Sequence, residues 1–181
     1  MIATLFGRKK ITEERLANAF VNTVLALVHE GFPTIAEELN HSPEFAPSPN
    51  LDPVEEGPFA LVVLAGNLME APRFLESGQD RRLFSLAVSK FCNATGLRAS
   101  ELELEIHALQ QFMERVNHPS KNTVYAMSKA VFHKYDLFRY QSEYFRDMKA
   151  PNPIVLKRLN GLMGFFLWNW EEFMQEHRVT H

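Results

Sequence analysis

The sequence predicts an all-α fold: a single-domain multi-helix bundle over residues 1–181, with a proline-rich arm between the second and third helices. Three observations predict it. Apolar residues recur at helical spacing in segment after segment, capping and stop residues bracket those segments, and no alternating segment offers a strand partner. A chain of 181 residues buries about two-thirds of the surface its unfolded form exposes, and fifteen phenylalanines make the expected core large and aromatic.

Residues 1–11 read as an N-terminal extension. Ile2, Leu5 and Phe6 precede Arg8, Lys9 and Lys10, which reverses the order of a secretory signal, so the apolar residues are expected to pack on the body. A weak membrane anchor built from them and the three cations is the alternative. Thr12 is placed to cap a first helix from about Glu13 to Glu30, with Leu16, Phe20, Val24 and Leu27 on one face and Gly31 and Pro33 as its stop. Thr34 and Glu37 have capping-box spacing for a short second helix, Ile35 to Asn40.

Over residues 41–58, Pro43, Pro47, Pro49, Pro53 and Pro58 prevent regular structure, and Phe45, Leu51 and Val54 favour a packed arm over a mobile segment. Phe59 to Met69 is apolar around its whole circumference except at Asn67, which predicts a central buried helix. Arg73 to Glu76 adds a turn before Gly78. Asp80 then caps a helix with Leu83, Phe84, Ala87, Val88 and Phe91 on one face and Gly96 at its end.

Ser100 and Glu103 form a capping box for an amphipathic helix lined by Leu102, Ile106, Leu109, Met113 and Val116. Ser120 is placed to cap a longer helix carrying Val124, Met127, Val131, Tyr135, Phe138 and Phe145, which runs to Met148 or bends midway. A last helix is expected from about Ile154 to His177.

A formal charge of −3 and a pI near 6.2 supply no general attraction to nucleic acid or anionic lipid, and no apolar run approaches the roughly twenty residues that span a bilayer. The one cysteine, Cys92, has no partner for an intramolecular disulfide, so a cytoplasmic location is expected. The segment from Ala87 to His107 approximates helix-turn-helix spacing. Its second helix begins Ser100-Glu-Leu-Glu-Leu-Glu, and those carboxylates would repel the phosphates a DNA-reading helix must approach.

Glu38 and His41 have the Glu-x-x-His spacing of carboxylate-bridged bundles, with no second copy in the chain. His29, Glu30, Glu37, Glu38 and His41 are close in sequence and could meet around the expected Gly31 turn, with a solvated polar corner as the favoured reading. Glu103 and His107, four apart on a polar face, read as a solvated pair, and Cys92 reads as a buried, inert thiol. There is no nucleophile elbow and no phosphate-binding glycine loop. No catalytic residue, metal ligand or cofactor is therefore assigned.

The last helix is the most informative element. Leu159, Leu162, Met163, Phe166, Trp170, Phe173 and Met174 share one face, while Gly161, Gly164, Phe165 and Trp168 group on the other, with Lys157 and Glu172 nearby. Two glycines within a helix each cost about 1 kcal/mol relative to alanine, which suggests close backbone approach. Three readings fit this second face: packing within the monomer, a homodimer or partner surface anchored by Phe165 and Trp168, and a pocket for an apolar or aromatic ligand. The expected function is that of a non-catalytic helical protein acting through protein contacts or self-association. Binding of a small apolar or aromatic ligand between helices is the alternative, and a metal-dependent enzyme the third reading.

Overall fold

The computed structural model describes residues 7–181, so the expected packing or anchoring of Ile2, Leu5 and Phe6 falls outside the described residues. Helices carry the fold as periodicity predicts. A short strand β1 (Lys9–Thr12) leads into α1 (Glu13–Asn40), whose first turn is capped by the Thr12 hydroxyl accepting from the Arg15 amide. At the other end of the chain, β2 (His177–Thr180) pairs parallel with β1, setting Ile11 opposite Val179. These two strands depart from the expectation of helices alone. They hold the start of α1 and the end of the chain together.

The two helices expected before the arm are one. The apolar stripe of Val24, Val28, Phe32, Ile35 and Leu39 runs at helical spacing straight through Gly31 and Pro33, and all five side chains are buried. Burial of that stripe outweighs the local stop signals, because tertiary packing supplies most of a helix's stability. Pro33 faces solvent, where water can satisfy the carbonyl its missing N–H leaves free. Gly31 serves close approach rather than termination: a Cβ there would lie 2.5 Å from Cζ of Phe166. By length and composition α1 passes as a membrane span, yet its apolar face belongs to the core.

The arm consequently lies between the first and second helices, over residues 41–56, because Gly57 and Pro58 already belong to α2 (Gly57–Glu70). It is held by named contacts. Asn40 accepts from the Leu51 amide at 2.7 Å and donates to its carbonyl at 2.8 Å, the Ala46 amide donates to the Tyr140 carbonyl, and Arg158 grips Glu44 through its two terminal guanidinium nitrogens. Phe45 is buried against Phe132. Val54 is 78% exposed, so the packing expected of it is not found; it sits beyond the Asn40–Leu51 clamp on the solvent side of the arm.

α2 is the central helix, packed against α1, α4 (Ala99–Asn117) and α5 (Thr123–Lys134), while α3 (Gln79–Thr95) lies against α1 and α4. Its buried run, Phe59 to Leu68, is interrupted only by partly exposed Leu61. Several boundaries shift from expectation. A 3₁₀ turn at Ala71–Arg73 replaces the expected turn at Arg73 to Glu76. Asp80 lies inside α3 and accepts from the Gly78 amide, and α4 starts one residue before Ser100, with Arg98 at its cap position. Asn122, not Ser120, caps α5 by accepting from Tyr125, since the Ser120 hydroxyl is taken by Asn117.

The long helix after Ser120 breaks at Tyr135 into a 3₁₀ turn (Leu137–Tyr140) and a short α6 (Glu143–Asp147). The expected last helix also divides, into α7 (Pro153–Met163), a 3₁₀ turn (Gly164–Phe166) and α8 (Trp170–Glu176). The Asn169 side chain starts α8 by accepting from the Glu172 amide and donating to the Glu172 carboxylate.

Two outcomes test this packing. Gly31→Ala gains helix propensity of about 1 kcal/mol but drives a methyl into a Phe166 ring fixed edge-on against Phe59, so urea denaturation is expected to show a net loss of about 1–2 kcal/mol. Gly66→Ala meets Sδ and Cγ of fully buried Met127 at 2.5 and 2.7 Å, so a loss of similar size is expected. The second outcome concerns Tyr135, whose hydroxyl accepts from the Phe59 amide; burial pushes its ionisation well above the ordinary tyrosine range. Its contribution is present below about pH 10, the unfolded value, and is lost as pH rises toward the folded one. Urea midpoints followed through that range should therefore fall more steeply for the wild type than for Tyr135→Phe.

Candidate functional site

The four residues singled out in sequence lie on and around the break between α7 and α8. Asn67 makes that break. It is fully buried in α2, its amide nitrogen donates to the carbonyls of Val63 (2.9 Å) and Phe166 (2.8 Å), and its side-chain oxygen accepts from the Trp168 amide (2.7 Å). A helix passing through Phe166 and Trp168 would use those groups internally. Tied to Asn67, Leu167 is extended instead, with φ −83° and ψ 128°.

This conformation decides what each side chain does. Phe166 turns inward, edge-on to Phe59 at 4.8 Å, beneath Gly31. Trp168 is half-buried and stacks on Phe20 at 5.0 Å and Trp170 at 5.2 Å, with Phe173 edge-on at 5.1 Å. Trp168 is thus covered in large part by its own chain. Phe165 points out, 76% exposed, and is the one exposed phenylalanine among the described residues. Gly161 and Gly164 are exposed, and a Cβ on either would meet nothing within 4 Å, so the close backbone approach expected of them is absent within this chain.

The other sequence candidates separate. Because α1 continues through Gly31, His29 and His41 stand about 18 Å apart along one helix axis, at about 1.5 Å per residue, and cannot share an ion. His29 lies 3.3 Å from Glu56, His41 bonds the Glu37 carbonyl, and Glu38 lies 3.8 Å from Arg158. Among the described residues no group of three or more His, Cys, Asp or Glu side chains is arranged to hold a metal ion. The Cys92 thiol is half-buried, and burial together with the charge of Glu103 raises its ionisation, which disfavours the nucleophilic thiolate. His107 stacks on Phe84 at 4.9 Å in an open cleft of about 460 Å3 between α2, α3 and α4, where Arg81, Gln110 and Glu114 also lie. That stacking, and not a bond to Glu103, sets the imidazole's position.

Sequence reading missed the role of Asn67, although it stood out as the one polar residue in an apolar run. It also missed the Asn169 cap, which the spacing to Glu172 signals. No family model matches this chain, and no curated protein or solved structure matches it.

Replacing Asn67 with leucine strands the Phe166 carbonyl and the Trp168 amide, each costing about 1–3 kcal/mol when unpaired. The expected loss is roughly 2–4 kcal/mol in urea denaturation. Near-ultraviolet circular dichroism from the stacked indoles should change while far-ultraviolet helical signal persists.

Proposed function

We propose that the protein acts through protein contacts and associates with a second copy of itself through the turn bearing Phe165, without catalysing a reaction. The observation that carries this reading is the exposure of Phe165 in a chain whose other described phenylalanines are all buried or half-buried. Leaving such a ring in water forgoes about 1.5–3 kcal/mol of burial, a cost that a contact surface recovers on association.

Its surroundings support the same reading. Gly161 and Gly164 leave the backbone beside the ring open, which lets a partner approach closely, and Trp168 offers apolar surface next to a fixed aromatic stack. An exposed aromatic anchor on a rigid base is the usual centre of an interface. Because the ring makes little contact with its own chain, Phe165→Asp should change folding stability by no more than about 0.5 kcal/mol.

Sedimentation velocity across a concentration series tests the proposal. The wild type should show concentration-dependent dimerisation and Phe165→Asp should remain monomeric. A wild type that stays monomeric throughout, or a variant that associates equally well, overturns it.

A further inference from the structure

We infer that the cleft between α5 and the N-terminal half of α7 is a binding site for a small organic acid with an apolar body. The cleft is open to solvent and spans about 430 Å3, and Tyr125, Lys129, Pro151, Leu156, Lys157 and Asn160 are among its walls. That volume suits a small molecule.

Its charge selects the ligand. Two lysines line the cleft and no carboxylate does, in a protein whose formal charge is −3. Neither lysine belongs to an ion pair among the described residues. Lys129 is held over the Tyr125 ring, 4.5 Å from its centroid, and reaches the Val116 carbonyl at 3.5 Å, so its ammonium is positioned without being neutralised. Lys157 is exposed on the second turn of α7, and the positive end of that helix, at Pro153, borders the same space. An acidic group in the cleft meets two cations with no carboxylate to compete for them, and a charge-assisted hydrogen bond from either ammonium stabilises it there.

The remaining walls fix the rest of the molecule. Pro151 and Leu156 present apolar surface to a ring or short chain. The Asn160 side-chain oxygen is closed off from solvent and has no hydrogen-bond partner. Turning of that amide toward the cleft would let a hydroxyl on the occupant supply the missing donor, which makes a hydroxyaryl carboxylate the acid to test.

Titration of the full chain with 4-hydroxyphenylacetate, phenylacetate, neutral phenylacetamide and inorganic phosphate, followed by amide chemical shifts, tests the assignment. Saturable shifts are expected at Tyr125, Lys129, Leu156 and Asn160 for both acids, larger affinity for the hydroxylated one, and none for the neutral amide. Lys157→Gln, at a solvent-facing position that leaves the fold intact, should weaken binding by roughly tenfold, and Lys157→Arg should retain it. Phe165→Asp should leave it unchanged, so this site and self-association fail separately. Equal binding of phenylacetamide, tighter binding of phosphate than of either acid, or indifference to Lys157→Gln overturns the inference.

Discussion

Asn67 is the constraint on which the far end of the molecule depends. A carboxamide inside an apolar helix carries a desolvation penalty of about 1–3 kcal/mol for each group left unpaired, so it must find partners wherever the fold brings them. Asn67 finds one on its own helix and two on a segment about a hundred residues later. Those two are backbone groups that an uninterrupted last helix would bond internally. The buried amide therefore breaks that helix, and the break sends Phe166 under Gly31, Trp168 and Trp170 onto Phe20, and Phe165 into solvent.

The same device recurs where the chain lacks regular structure. Asn40 pairs with both backbone groups of Leu51, and Gln141 accepts from the Asn152 amide while donating to the Ala150 carbonyl. Each amide offers one donor edge and one acceptor edge, which is what a neighbouring strand would offer. A proline-rich arm and the Pro151–Pro153 link thus gain fixed positions without joining a sheet. Arg158 reinforces the arm by gripping Glu44, with Glu38 beside it.

These clamps explain which parts of the fold could be read in the sequence. Helical stripes are local, so the buried α2, the left-handed Gly96 stop and the amphipathic α4 follow from nearby residues. Stop signals are also local, and they misled where a stripe outlived them: Val28, Phe32 and Ile35 keep helical spacing across Gly31. That continuity is visible in the sequence and outweighs a glycine and a proline once burial is counted. The break at Leu167 is different, because its cause lies on another helix. Only the presence of one asparagine in an apolar run hinted that something distant had to meet it.

The candidate site was partly legible for a related reason. A helical wheel puts Gly161, Gly164, Phe165 and Trp168 on one face, but beyond Met163 there is no wheel, and the indole turns inward while Phe165 stays out. The wheel still applies within α7, where Lys157 and Gly161 lie one turn apart on a stripe that leads to Gly164. The outer surface of α7 therefore begins at a cationic cleft and ends at an exposed ring, with no side chain on the two glycines between them. Glycine here is best explained by what it leaves uncovered, since within the chain nothing packs against either position.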